Sequence, residues 1–132
     1  MILVDTGPLV ALLRRNDRHH TACVQALREA REPLGTVWPV VTEAMHLLSS
    51  WRAQDALLEM VHRQNPRLLP LGPDDVDRIR DLVKKYRDLP MDLADAALVH
   101  VAGRDKCQTV FTLDRRDFAV YRSGGRALRL IP

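Results

Sequence analysis

The sequence predicts an α/β fold, a three-layer arrangement in which helices cover both faces of a central parallel sheet of about five strands. Short apolar runs alternate along the chain with segments whose apolar residues recur at helical spacing. The strand-like runs carry few polar residues, which is typical of strands buried on both faces. Turn-forming residues such as Gly7 and Pro8 separate the two kinds of segment.

The first half of the chain provides two strands and four helices. Met1 to Val4 is uninterrupted by polar residues and predicts a buried strand. Pro8 favours a helix start, because the first helical turn does not need its missing N–H, and Asp17 is a suitable cap for the second helix. In order, we predict a strand over 1–4, a helix from about Pro8, a helix over 17–31, a strand over 34–38, a helix opened by Pro39 and a helix over 53–64.

The second half provides three more strands and two helices. Acidic residues at Asp74 and Asp75 favour a helix start because they complement the helix dipole, and Gly103 is a suitable residue to end the next helix. In order, we predict a strand over 67–71, a helix over 74–86, a helix over 90–102, a strand over 108–112 and a strand over 127–131.

Length and composition are those of one globular domain spanning residues 1–132. The chain is 46% hydrophobic and 28% charged, and no apolar run approaches the ~18–20 residues of a membrane span. No basic leader precedes the first strand. Cys23 and Cys107 are the only cysteines, too few for a disulfide framework. We therefore expect a reduced, cytoplasmic protein.

Acidic residues are predicted to meet at one end of the sheet. Ligands of open parallel sheets bind at the carboxyl ends of the strands, and five acids fall at or near that edge: Asp5, Glu43, Asp92, Asp95 and Asp114. Carboxylates held together repel and raise one another's pKa, so a compensating cation is expected. Mg²⁺ or Mn²⁺ suits such oxygen ligands, and two such ions can promote phosphodiester hydrolysis.

Several of these acids also have a purely structural interpretation. Asp92 and Asp95 have the spacing of a helix capping pair, which needs no metal. Asp114 can simply open a turn. Glu43 lies among apolar residues and Asp5 ends a buried strand, so these two are the hardest to explain without a ligand.

Four segments together resemble the PIN domain, the nuclease fold best known from VapC-type toxins of bacterial toxin–antitoxin modules. The resemblance covers essentially the whole chain. The segments are Val4-Asp-Thr-Gly-Pro-Leu9, Val40-Val-Thr-Glu-Ala-Met-His-Leu-Leu48, Asp92-Leu-Ala-Asp-Ala-Ala-Leu-Val99 and Val110-Phe-Thr-Leu-Asp-Arg-Arg-Asp-Phe118.

The resemblance implies a site and an activity. Its metal-binding and catalytic acids would be Asp5, Glu43, Asp95 and Asp114, with Asp92 as a fifth ligand, Asp117 sharing or replacing the role of Asp114, and Thr6 and Thr112 as hydroxyl contacts. It implies Mg²⁺- or Mn²⁺-dependent cleavage of RNA, either tRNA, rRNA or mRNA. It also implies a homodimer and an antitoxin whose C-terminal segment occupies the acidic groove.

The charge distribution agrees with an RNA substrate. The net charge is +3, and the chain without the four proposed catalytic acids carries +7, which would attract a polyanion. The arginines closest in sequence to the acids are Arg14, Arg15, Arg115 and Arg116. Because the chain has only two residues each of Phe, Tyr and Trp, base stacking is not an evident recognition mode.

Two questions stay open from the sequence. A PIN-like scaffold that binds RNA or protein without cutting is the alternative to a nuclease, although a scaffold has no reason to keep mutually repelling acids. The helix pair over 39–64 also has more large apolar residues than one buried face needs: Trp38, Leu47, Trp51, Leu57, Leu58 and Met60. We expect some of them to form a dimer or antitoxin interface, and the alternative is that all belong to the core.

Overall fold

The computed structural model describes all of residues 1–132 and contains the predicted five-stranded parallel sheet. The strands are β1 (Ile2–Val4), β2 (Leu34–Thr36), β3 (Arg67–Leu68), β4 (Thr109–Phe111), β5 (Arg122–Ser123), β6 (Arg126–Ala127) and β7 (Arg129–Ile131). The central sheet has the order β3-β2-β1-β4-β7, and β5 and β6 form a separate antiparallel hairpin.

Seven helices accompany the sheet. They are α1 (Thr6–Leu13), α2 (His20–Glu29), α3 (Trp38–Leu47), α4 (Trp51–His62), α5 (Val76–Lys85), α6 (Leu93–Arg104) and α7 (Arg115–Phe118), with a 3-10 turn at Pro73–Asp75 before α5. None of them combines the length and the apolar character that crossing a lipid bilayer requires.

The strand order places a reversal point between β1 and β4. From β1 the chain moves outward to β2 and β3, then returns to the opposite side of β1 to form β4. The two strands pair in parallel from Ile2↔Thr109 to Val4↔Phe111, so they end side by side. A crevice opens at such a reversal, because the connections leave the two strands in opposite directions.

A continuous apolar core surrounds the central strands. Leu3, Val4, Val110 and Phe111 are fully buried. Helix α6 is buried along most of its length, and its alanines permit close packing against the sheet and α5. Cys23 and Cys107 are both buried and unpaired, and burial raises the pKa of each thiol.

Several element boundaries differ from those predicted. The strand predicted over 34–38 ends at Thr36, and Trp38 instead begins α3, with Pro39 in the first helical turn. The strand predicted over 67–71 ends at Leu68, since Pro70 has no N–H to donate to a ladder. The helix predicted from residue 90 begins at Leu93, because Asp92 caps it.

The segment between β4 and β7 contains structure that the sequence analysis did not predict. It forms the short helix α7 and the β5–β6 hairpin. Gly124 and Gly125 turn the hairpin with φ of +57° and +77°, a backbone conformation that L side chains rarely adopt. The hydroxyl of Tyr86 accepts a hydrogen bond from the Arg122 N–H at 2.9 Å, which ties the hairpin to the end of α5.

Candidate active site

Asp5 lies at the reversal point and is the most buried acid of the site. It follows β1 directly and is 7% exposed. Its N–H donates to the Phe111 carbonyl at 2.9 Å, and its Oδ2 accepts a hydrogen bond from the Thr112 hydroxyl at 2.8 Å. Burial raises the pKa of Asp5, and the charges of Asp92 and Asp114 raise it further.

Thr112 connects the ends of β1 and β4. Its side chain is fully buried, and its hydroxyl also accepts a hydrogen bond from the Asp114 N–H at 3.0 Å. The loop that follows packs closely on α1, because a Cβ at Gly7 would lie 3.3 Å from Leu113. Glycine in the first turn of α1 therefore allows the loop carrying Asp114 to approach Asp5.

Glu43 extends from α3 towards the same place. Its side chain is half-buried. Burial, followed by the charges of Asp92 and Asp5, raises the pKa of Glu43 to about 7. The charge of Asp92, at the start of α6, acts more strongly on Glu43 than the charge of Asp5 does. The helix that follows β2 is thus joined electrostatically to the start of α6.

Asp92 and Asp95 form a capping box at the start of α6. The Asp95 N–H donates to Asp92 Oδ1 at 2.8 Å, and the Asp92 N–H donates to Asp95 Oδ2 at 3.4 Å. The capping interpretation is therefore correct, but it does not remove these acids from the cluster. Burial, with the charges of Asp92 and Asp5, raises the pKa of Asp95 to about 8.

Asp114 and Asp117 lie at the outer side of the cluster. Asp114 is exposed and precedes α7, and Asp117 is half-buried one turn later. Partial desolvation of the carboxyl group raises the pKa of Asp114, although the residue as a whole is exposed, and the neighbouring charge of Asp117 raises it further. The charge of Asp114 in turn acts on Asp5 and Asp95. Each of the six predicted acids thus lies close enough to at least one of the others for their charges to interact.

The chemical nature of the donor atoms suits a hard divalent cation, but the distances between the side chains are too long for them to bind one together. All candidate ligands are carboxylate or hydroxyl oxygens. The pKa values of Asp5, Glu43, Asp95 and Asp114 are raised first by burial and then by neighbouring negative charges. Thr6 Oγ1 is buried beside Asp5 and has no hydrogen-bond partner. As positioned here, however, no three acidic, histidine or cysteine side chains converge closely enough to ligate a metal ion.

The four candidate arginines divide into two pairs. Arg115 and Arg116 are the first residues of α7 and follow Asp114 directly. Arg14 and Arg15 lie beyond the far end of α1, whose eight residues give it a length of about 12 Å. The Arg14 guanidinium there donates to the Leu47 carbonyl at 2.7 Å. Adjacency in sequence therefore corresponds to proximity to the acids only for Arg115 and Arg116.

The predicted apolar interface is divided between surface and core. Leu57 is fully buried and Met60 packs on the core, so these two belong to the interior. Four of the predicted residues do remain largely exposed, namely Trp38, Leu47, Trp51 and Leu58.

Three further side chains border the acids and were not predicted as part of the site. Trp38 and Leu93 line an open groove that also contains Glu43 and Asp92. Tyr121 is buried nearby; burial raises its pKa, as do the charges of Asp95 and Asp117, and its hydroxyl has no partner. The position of Trp38, directly before Pro39 and five residues before Glu43, was the signal available in the sequence.

Comparison with known proteins assigns this architecture to a family. Residues 2–123 match the PIN domain, so the chain belongs to the PIN domain family. It is 29% identical over 135 residues to Ribonuclease VapC26 of Mycobacterium tuberculosis, an alignment that covers 99% of this chain and 100% of that protein.

Solved structures share the fold. Mycobacterium tuberculosis VapC20, a toxin described as cleaving the sarcin-ricin loop, superposes with a TM-score of 0.84 at 18% identity, covering 93% of this chain and 98% of that one. A toxin–antitoxin complex from Klebsiella pneumoniae gives a TM-score of 0.72 at 18% identity, covering 100% and 97% of the two chains. VapBC2 from Rickettsia felis was solved bound to a DNA fragment from its promoter. It superposes with a TM-score of 0.68 at 12% identity, covering 98% of this chain and 97% of that one.

Proposed function

We propose that this PIN-domain protein is a metal-dependent endoribonuclease and the toxin of a toxin–antitoxin pair. The observation that carries the proposal is the group of acids with raised pKa values around Asp5, at the crevice between β1 and β4. Holding several carboxylates together lowers the stability of a protein, and a protein that only binds RNA or another protein has no need of it. A bound cation would remove the repulsion between the ionised carboxylates. The similarity to Ribonuclease VapC26 supports the same activity.

Within this proposal the acids have different tasks. Asp5, Glu43, Asp95 and Asp114 hold Mg²⁺ or Mn²⁺, Asp92 serves as a fifth ligand, and Asp117 supports Asp114. A bound ion of this kind activates a water molecule and stabilises the leaving oxygen of a phosphodiester. Thr112 orients Asp5 through the 2.8 Å hydrogen bond, and the free hydroxyl of Thr6 is available to a water or a phosphate oxygen.

RNA is the proposed substrate. Arg115 and Arg116 follow Asp114 directly and would contact phosphates near the cleaved bond. Arg14 and Arg15 lie further away and would contact a more distant part of a structured RNA. Because these contacts release counterions, RNA binding should weaken steeply as salt concentration rises.

An antitoxin and a second copy of this chain are the proposed protein partners. The structurally similar proteins include toxin–antitoxin complexes. Leu47, Trp51 and Leu58 are the exposed apolar residues assigned to these interfaces. Light scattering of the purified protein tests the dimer. Co-expression with the product of the adjacent open reading frame tests the antitoxin, which should bind and abolish cleavage.

Cleavage of end-labelled RNA tests the activity directly. The purified protein is incubated with tRNA, rRNA fragments and mRNA in Mg²⁺, Mn²⁺ or EDTA, beside Asp5→Asn and Asp55→Asn prepared identically. Asp55 is an exposed acid of α4 outside the cluster, so its variant controls for loss of one negative charge. Cleavage should require metal, persist in Asp55→Asn and disappear in Asp5→Asn. Equal activity in all three proteins would refute the proposal.

A non-catalytic scaffold that binds RNA or protein is the second candidate. The capping box favours it, because the start of α6 gives Asp92 and Asp95 a structural task without any metal. In bacterial cells a nuclease toxin should arrest growth when expressed alone, and Asp5→Asn should not. A scaffold predicts the same growth for both proteins.

A further inference from the structure

An open groove of about 580 Å³ lies directly beside the acids. Its lining includes Trp38 from α3 and Leu93 from α6, together with Glu43 and Asp92. Both apolar side chains remain largely free: Trp38 is 55% exposed and Leu93 is 59% exposed. The two side chains form an apolar surface directly beside the acids that a flat ligand can cover.

The groove is built on regular elements. Trp38 is the first residue of α3, and its carbonyl accepts a hydrogen bond from the Thr42 hydroxyl at 3.0 Å. Trp38, Thr42 and His46 recur at helical spacing on one stripe of α3, and Glu43 lies on the adjacent stripe. The rest of the lining is the start of α6, held by its capping box. Trp38 is therefore presented from a fixed position relative to Glu43.

The chemistry of the groove favours a nucleobase over an apolar protein side chain. An apolar protein side chain that filled the groove would remove water from Glu43 and Asp92 without replacing its hydrogen bonds, which is costly for two neighbouring carboxylates. A base is a flat ring with polar edges, so it can cover an indole while leaving the carboxylates hydrated. It is also joined by a short ribose linkage to the phosphate that those carboxylates would handle.

We propose that Trp38 stacks on a nucleobase of the RNA next to the phosphate that is cleaved, with Leu93 forming part of the groove wall. This inference rests on the ribonuclease function proposed above and identifies the form of RNA that the site accepts. A base can enter the groove only if it is unpaired and unstacked from its neighbours. The groove therefore selects single-stranded segments and loops over continuous duplex.

Trp38 acts in this proposal by binding and positioning, not by chemistry. Stacking contributes equally before and during the reaction, so its loss should raise KM and leave kcat nearly unchanged. Removing a base–aromatic stack typically weakens binding about five-fold or more. Trp38→Ala should therefore raise KM for single-stranded RNA by at least about five-fold, whereas Trp38→Phe should restore most of the affinity.

The chain has two tryptophans, which allows a direct measurement of contact. Trp51 begins α4 and does not line the groove. In an Asp5→Asn background that does not cut, Trp51→Phe leaves Trp38 as the only indole, and Trp38→Phe leaves Trp51. A mixed-sequence single-stranded RNA oligonucleotide is titrated into each protein with Mg²⁺, and a duplex of the same sequence serves as the comparison. Binding is followed separately by anisotropy of a dye on the RNA.

The expected result is that single-stranded RNA quenches the emission of Trp38 and leaves that of Trp51 unchanged, and that the duplex quenches neither. If wild-type protein cuts RNA but Trp38 emission does not change when RNA binds, the stacking inference is wrong and the nuclease function stands. The stacking inference is also wrong if Trp38→Ala keeps the wild-type KM. The exposed Trp38 would then be better explained as part of a protein interface. If the wild-type protein neither binds nor cuts any RNA, both proposals fail together.

Discussion

The Thr112 hydroxyl donates a 2.8 Å hydrogen bond to Asp5 Oδ2, joining two buried residues that are 107 positions apart in the chain. The oxygen of the Thr112 hydroxyl also accepts a hydrogen bond from the Asp114 N–H. One side chain thus fixes the acid at the end of β1 relative to the acid that follows β4. The Thr112 side chain is fully buried, so loss of its hydroxyl would leave the buried Asp5 Oδ2 without this donor.

Thr112→Val tests this connection. Valine has nearly the same shape as threonine but leaves Asp5 without its donor and Asp114 N–H without its acceptor. We expect a loss of about 1–3 kcal/mol in the free energy of unfolding, measured by urea denaturation, and a reduced cleavage rate. Thr112→Ser keeps the hydroxyl and should retain most of both properties. Equal stability of wild type and Thr112→Val would show that the bond contributes nothing.

Divalent cations should stabilise the protein against heat. An ion that binds only the folded protein raises the free energy of unfolding by mass action, by about 2.7 kcal/mol at one hundred times Kd. Differential scanning fluorimetry with Mg²⁺, Mn²⁺ and EDTA should show a higher Tm with metal. The shift should be lost in Asp5→Asn and Asp95→Asn and retained in Asp55→Asn. A shift that survives in Asp5→Asn and Asp95→Asn would place the ion elsewhere.

Without metal, stability should fall as pH rises. Burial and neighbouring charges raise the pKa of Glu43 to about 7 and of Asp95 to about 8, so between roughly pH 4 and pH 8 the folded protein binds more protons than the unfolded chain. Stability is then greatest near the ordinary carboxyl pKa and declines through that range. Urea denaturation in EDTA measures the decline.

Two comparisons check the origin of this pH dependence. The double variant Glu43→Gln with Asp95→Asn should flatten the profile, because neither side chain titrates. Saturating Mg²⁺ should also flatten it, because the cation favours the ionised carboxylates. If the double variant keeps the wild-type slope, other groups are responsible for it.

Variants of Asp92 separate its capping role from its charge. Asparagine is a good helix cap and alanine is a poor one. Asp92→Asn should therefore leave the stability of α6 almost unchanged, whereas Asp92→Ala should lose about 1 kcal/mol by urea denaturation. Both variants remove a negative charge, so both should lower the pKa of Glu43 in NMR titrations. Equal stability of the two variants would mean that the 2.8 Å cap contact contributes little.

Much of the fold was predictable because its strands and helices differ strongly in apolar periodicity. The five-stranded parallel sheet and the position of Asp5 at the end of β1 are as predicted. The β5–β6 hairpin was missed because its two-residue strands are too short to show a pattern. The pair Gly124-Gly125 was nevertheless a recognisable turn signal in the sequence, because two-residue hairpin turns require positive φ and favour glycine. Both residues do have positive φ in the structure.

The site was less predictable than the fold because side-chain direction depends on packing. Sequence spacing identified the acids, but it did not show that Asp92 and Asp95 cap α6 and remain close to Glu43 at the same time. The distance between Arg14 and Asp5 is set by the length of α1, because the two residues lie at opposite ends of this helix. The small number of aromatic residues argued against base stacking as a way of binding RNA. The structure shows that one of them, Trp38, is exposed and lies beside the acids, where a base could stack on it.

The two buried cysteines make this protein convenient for site-directed labelling. Cys23 and Cys107 are packed in the core, and burial keeps their thiols protonated, so neither reacts readily with maleimides. One cysteine introduced on the surface, for example at Arg116 or Arg15, would therefore be the main reactive thiol, and neither native cysteine would have to be replaced. A dye or cross-linker attached there would report how far along an RNA each end of the site reaches.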